Sequence, residues 1–171
     1  MFCFLSVQDE PVLSWNTSRK LSWVDFKAKP DNSSSAVAIT ASGITFGYSI
    51  KKSSTKVLSF TSEVYAYFYP EDSWYKTEQV NDHILGHEQL HFDITELYAR
   101  KFRQRISRLK VSNNVKKELQ GIHNTINKEV SLMQDNYDDE TNYSRNIEAQ
   151  AKWKLYIRTE LKKLSKYKSV N

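Results

Sequence analysis

The chain has 171 residues, enough for one domain with a sizeable core. With 39% hydrophobic and 26% charged residues, four Gly and three Pro, it is neither low-complexity nor suited to a long disordered region. Its single Cys excludes an internal disulfide framework. Much of the basic excess behind a formal charge of +5 lies in two runs, ARKFRQRISRLK and KWKLYIRTELKKLSKYK. Apolar residues recur in both at helical spacing, so they read as the wet faces of amphipathic helices. No nucleic-acid motif accompanies the charge, and no nucleic-acid partner is expected.

In chain order, MFCFLSVQDE comes first, a short apolar run followed at once by polar residues. Residues 1–10 read as the remnant of a signal peptide, which predicts an exported, periplasmic or cell-envelope-associated protein. No other segment could span a membrane. Residues 11–171 read as a single domain. From 11 to 75 the chain is rich in Ser, Thr, Val, Tyr and Phe, and AVAITASGITFGYSIKK and KVLSFTSEVYAYFYP predict antiparallel strands. Beyond PEDSWYKTEQ the texture turns helical. A first helix is expected over 81–108, capped at Asn81 or Asp82, with Ile84, Leu90, Ile94, Leu97, Phe102 and Ile106 as its apolar positions. A second is expected over 115–134. A third, over 139–166, should turn inward both Ile147, Ala151 and Leu155 and a neighbouring row of Trp153, Ile157, Leu161 and Leu164. Between the last two lies QDNYDDETNY, acidic and turn-like. Strands first and helices afterwards predict an α+β fold.

The first helix carries the chemistry. Its segment HEQLH, His87 to His91, matches a two-His metalloprotease motif. Imidazoles four residues apart project from adjacent helical turns and can converge on one zinc ion, with bonds of about 2.0–2.1 Å. Zinc brings the pKa of a bound water towards roughly 7, so Glu88 could take its proton as the water attacks a carbonyl. His83 lies eight residues from His91, about 12 Å along a helix, and cannot share that ion. It reads as a first-turn residue, at the surface or behind the ligands. Gly86 costs about 1 kcal/mol relative to Ala in a helix and suggests close approach by another element. A carboxylate-bridged iron site would need a second Glu-x-x-His motif, and position 120, three before His123, is Gln.

Two His leave a third ligand to find, because catalytic zinc takes three protein ligands and keeps one position open. His123, Asp135, Asp138, Asp139 and Glu140 are the candidates. Glu140 is favoured, because on the expected third helix it shares a face with Tyr143 and Ile147. Tyr143, three residues on, could place its hydroxyl at a developing oxyanion. Asp138 and Asp139 read as natural N-caps.

The segments LSWVDFKAKP, FYPEDSW, ILGHEQLHFDITELYARKFR and YDDETNYSRNIEAQAKW together resemble the bacterial family of exported zinc-dependent proteases catalogued as domain of unknown function 922. The resemblance runs from about Leu21 to Trp153. It implies a compact zincin-like fold, His87 and His91 as zinc ligands, Glu88 as general base and a functional contribution near Glu140. In the family's pattern a His commonly stands where this chain has Tyr143, which puts a phenol in the place of an imidazole. The expected function is therefore a zinc metallopeptidase acting on a peptide or protein substrate. The competing expectation is a non-catalytic exported zinc-binding module or envelope interaction domain, which would use aromatic residues such as Trp23, Trp74 and Tyr75 as a binding surface.

Overall fold

The computed structural model describes residues 11–169 and is α+β. The signal-peptide reading of residues 1–10 lies outside the described residues. Strands β1 (Leu13–Ser14), β2 (Ala38–Ile39), β3 (Ser42–Lys52), β4 (Val57–Phe68) and β5 (Trp74–Tyr75) precede helices α1 (Asp82–Ile106), α2 (Val115–Thr141) and α3 (Ile147–Lys163).

Period-two alternation makes β3 and β4 a long antiparallel hairpin, with Phe46 opposite Val64 and Ile44 opposite Ala66. One face offers Ile44, Phe46, Val64, Ala66 and Phe68 to the core, while Thr45, Gly47 and Glu63 stay outside. β1 pairs with the far edge of β4, giving the order β1-β4-β3, and β2 and β5 form a separate two-stranded pair. Asn113, just before α2, pins the hairpin tip by accepting from Val57 N at 2.9 Å.

The inner face of the sheet lies on α1. Phe92 meets Phe68 at 5.9 Å between ring centroids, and Phe102 meets Phe46 at 4.7 Å. On its other sides α1 is covered by α2 and α3, so Leu90, Ile94, Leu97, Phe102 and Ile106 are all buried. The run ARKFRQRISRLK is not simply a wet face. Arg100 is buried and donates to Glu96 at 2.8 Å and to the Leu161 carbonyl at 2.6 Å. Arg103 donates to the carbonyls of Val64 and Tyr167. These guanidiniums tie α1 to β4 and to the end of the chain. Their several fixed donors satisfy carbonyls that burial would otherwise leave unpaired.

The two later helices differ from the sequence expectation. α2 does not stop at 134 but continues through DNYDDET to Thr141. Carboxylates in a last helical turn oppose the helix dipole by about 0.3–1 kcal/mol each, which is why the acidic run reads as a turn. Burial of Tyr137 and Thr141 outweighs that opposition. α3 then starts at Ile147, capped by Asn146, whose side chain accepts from Ala149 N. The row Trp153, Ile157, Leu161 packs inward, whereas Ile147 and Leu155 point to solvent at 69% and 67% exposure. Gly86 is not demanded by packing either. A Cβ there would meet Gln150 Nε2 at 3.8 Å, an ordinary contact.

Ile157→Ala should lower stability by about 2–5 kcal/mol and Leu155→Ala by no more than about 0.5 kcal/mol, read from urea denaturation midpoints. The reverse ranking would mean that the other row is the buried one. Gly86→Ala should raise stability by about 0.5–1 kcal/mol in the same measurement.

Candidate metal centre

α1 begins on a built cap, with Asn81 Oδ1 accepting from Ile84 N at 3.0 Å. The following turn places His87 and His91 one above the other on the face towards α2. From α2, Asp138 reaches both. His87 Nε2, His91 Nε2 and Asp138 Oδ1 stand 3.1 Å from one another, in a nearly equilateral triangle. Among the described residues these three form a group that could hold a metal ion.

The donor set and its spacing both fit one. A tetrahedral ion with nitrogen and oxygen ligands at about 2.0–2.1 Å spaces them about 3.3 Å apart. Without a cation, two imidazole nitrogens turned to one carboxylate oxygen and to each other must share or contest protons. With one, all three lone pairs are used.

The tautomer of His91 is set from behind. Gln134, one turn before Asp138 on α2, accepts from His91 Nδ1 at 2.6 Å. Its amide nitrogen donates to the His91 carbonyl at 2.9 Å, which fixes which way the amide faces. A proton on Nδ1 leaves Nε2 with its lone pair free for the cluster. His87 is held differently. Tyr137 stacks on its ring at 4.5 Å and 22°, and the buried His87 Nδ1 has no hydrogen-bond partner among the described residues.

Electrostatics follow from this packing. Burial opposes the cation of His91, but the hydrogen bond to Asp138 and the charges of Glu88 and Asp138 hold its pKa above the ordinary imidazole value. Burial also opposes the Asp138 carboxylate, yet both imidazoles keep its pKa well below the usual range. The Tyr137 phenol is pushed upward, by burial first and then by Glu88 and Asp138.

The triangle lies in a cavity of about 580 Å³ between residues 34–42, the start of α1, the end of α2 and the turn after it. Glu88 lines this cavity beside the triangle. It is only 5% exposed, yet its carboxylate makes no hydrogen bond to any described residue. The side chain is largely enclosed, but its carboxylate oxygens keep access to the cavity and are free to meet what enters it.

The other residues singled out from the sequence fall as follows. Glu140, expected as the third ligand, is exposed and accepts from Trp153 Nε1 at 2.8 Å. Because α2 runs on to Thr141, Glu140 sits on its last turn, and Asp138 rather than Glu140 faces the imidazoles. Asp135 and Asp139 are exposed. His123 packs between Phe46 and Phe102 and bonds Asn127, as part of the core's edge. Tyr143 lines the cavity at its rim, 59% exposed. His83 is turned from the triangle and donates from Nε2 to the Ser144 carbonyl at 2.7 Å. Gln134 and the segment 34–42 are read from the sequence only as helix, loop and strand, with no role in a site. The spacing Gln134, Tyr137, Asp138, Thr141 is helical, and extending α2 across it would have put all four on one face.

Metal uptake has to displace the proton that His91 retains to a raised pKa. Apparent metal affinity should therefore fall as pH drops through that pKa, with more protons released per ion bound on the acid side. Asp138→Asn removes the largest influence raising it, so the fall should begin at lower pH, on a weaker overall affinity. Gln134→Ala should weaken binding by about 10–100-fold. Calorimetric titration in buffers of different ionisation heat measures all three.

No curated protein and no solved structure matches the chain. A family model does, over residues 16–145, which takes in every strand but β1, the whole of α1 and α2, and the turn through Arg145. The chain therefore belongs to the family described as bacterial protein of unknown function (DUF922).

Proposed function

We propose that this protein is an exported zinc-dependent metallopeptidase. The observation that carries the reading is Glu88, an enclosed side chain whose carboxylate has no hydrogen-bond partner among the described residues and opens to the cavity, beside three donor atoms 3.1 Å apart. The donor set of two His and one carboxylate also suits iron. A free carboxylate next to the first His argues for hydrolysis, since a general base must be unengaged to accept a proton.

His87, His91 and Asp138 would hold the ion. Bound there, zinc would supply Lewis-acid polarisation and a water acidic enough to react near neutral pH. Glu88 takes the proton from the attacking water and returns it to the leaving amine. Tyr143 O–H, on the rim, donates to the oxyanion as it develops. Gln134 keeps His91 in the productive tautomer throughout.

β2 supports a peptide substrate. Ala38 pairs with Tyr75 and Ile39 with Trp74, and Lys76 N donates to the Val37 carbonyl at 2.8 Å. The alternation of an antiparallel ladder then turns the N–H and C=O of Ala38 away from β5. Residues 34–40 and 42 line the cavity, so an extended peptide can pair with that edge, which is unpaired among the described residues, while its scissile bond lies over Glu88. Among the described residues no helix is long and apolar enough to cross a membrane. The apolar start of the sequence is what supports export.

The purified protein should hold one zinc per chain. His91→Ala and Asp138→Ala should lose it, and Glu140→Ala should keep it. Glu88→Gln should retain zinc but cleave a peptide library at least about 100-fold more slowly than wild type. Failure to bind zinc under any condition would end the proposal. Zinc without cleavage would leave a binding module, and equal cleavage by Glu88→Gln would remove the base assignment.

A further inference from the structure

Between α2 and α3 the backbone does something uncommon. Asn142, Tyr143 and Ser144 are consecutive, none is glycine, and all have positive φ, at 49°, 51° and 71°. Asn tolerates this region, whereas Tyr and Ser adopt it at a cost and hold it only where surrounding structure insists. Such strain gathers at binding and catalytic sites, and this turn carries Tyr143, Ser144 and Arg145 into the cavity wall.

Most of what holds the turn is local. Tyr143 N donates to the Asp138 carbonyl at 2.9 Å, and Asn146 N to the Thr141 carbonyl at 2.8 Å. These bonds close the loop on itself but do not fix it against α1. Among the hydrogen bonds of the described residues, His83 Nε2 to the Ser144 carbonyl is the one that joins the turn to α1. A carbonyl can only accept, so Nε2 carries the proton. His83 is itself fixed, since its carbonyl accepts from Gln150 Nε2 at 3.0 Å, and Ser144 is buried beneath the contact.

The charge of the cavity gives the turn its use. Arg145, exposed and with Nη1 3.4 Å from the Asn142 carbonyl of its own turn, is the one Lys or Arg among the described residues lining it, in a wall that also carries the carboxylates of Glu88 and Asp138. A substrate carboxylate entering there is repelled by those two, and apart from a bound ion Arg145 is the one fixed counter-charge among the described lining residues. Arg presents paired N–H donors that match a carboxylate.

We propose that His83 locks the turn Asn142–Ser144 onto α1 and so presents Arg145 as the receptor for a carboxylate of the bound peptide. The proposal rests on the peptidase reading and narrows its substrates. They are peptides with an Asp or Glu side chain near the cleaved bond, or with the free terminal carboxylate there. His83 is a positioning residue, and Arg145 sets specificity.

The test uses the zinc-loaded protein as wild type, His83→Ala, His83→Gln, Arg145→Gln and Arg145→Glu. Each is assayed on peptide sets differing only in Glu against Gln near the cleaved bond, or in terminal acid against amide. Wild type should favour one acidic form by about tenfold in kcat/KM, and the set that shows the preference identifies the source of the carboxylate. Arg145→Gln should abolish the preference and Arg145→Glu reverse it. His83→Ala should lose the preference through KM, speed amide hydrogen exchange over 142–146 and keep its zinc. His83→Gln, which retains a donor of similar reach, should restore both.

Equal turnover of acidic and neutral peptides by wild type overturns the receptor assignment while leaving the peptidase reading standing. Unchanged exchange in His83→Ala, or loss of its zinc, overturns the positioning role. A wild type that binds zinc but cleaves nothing removes the peptidase reading instead. Equal binding of acidic and neutral peptides by that protein then overturns the receptor assignment as well.

Discussion

A helix buried on nearly every side has to satisfy its polar side chains inside the protein, and α1 is both buried and polar. The sheet covers it on one face and α2 and α3 on the others. Most buried or half-buried polar groups along it therefore meet a partner, on α1 itself or from elsewhere in the chain. Asp93 accepts from Trp15 Nε1, Gln89 accepts from Leu21 N, and Thr95 bonds Ser42. Glu96 and Arg100 pair with each other, and Arg100 also reaches the end of α3. These contacts lock the N-terminal segment, the hairpin and the C-terminal helix to one element. They also make the exception conspicuous, since Glu88 lies enclosed on the same helix without a partner among the described residues.

The site follows from that arrangement. α1 supplies two imidazoles whose spacing the helix itself sets. α2 crosses them with Gln134 behind one ring and Asp138 in front of both. The two contributions depend on each other, because Asp138 keeps its charge through the imidazoles and His91 keeps its proton through Asp138. A cation replacing that proton keeps the same attraction and adds two bonds. The left-handed turn after α2 closes the far wall, and the strain it carries is opposed by a bond from the first turn of α1.

Local features were the legible ones. The hairpin could be read from alternation, the first helix from its cap and its apolar threes and fours, and the pair His87 and His91 from one helical period. His83 was rightly separated from that pair, since rise per residue needs no tertiary information. What could not be read was how far α2 runs. DNYDDET has the residues of a turn and charges that oppose a helix C-terminus, and the burial of Tyr137 and Thr141 that overrides both exists only once α1 and α3 are in place. That one boundary moved the third donor from Glu140 to Asp138 and gave Glu140 to Trp153. The two apolar rows of α3, both expected inward, were separated in the same way. Two stripes of similar composition lay side by side, and packing selected Trp153, Ile157 and Leu161.

The sequence by itself determined an α+β chain whose helix offers two imidazoles and a carboxylate on one side, because backbone periodicity decides which neighbours share a face. The tertiary structure alone decided that Asp138 completes the group, that Gln134 orients it, that residues 34–42 wall the cavity and that His83 holds the turn. Those contacts join residues about forty to sixty positions apart, and no local period relates them. Only the packing of α2 and its following turn against α1 brings them within reach.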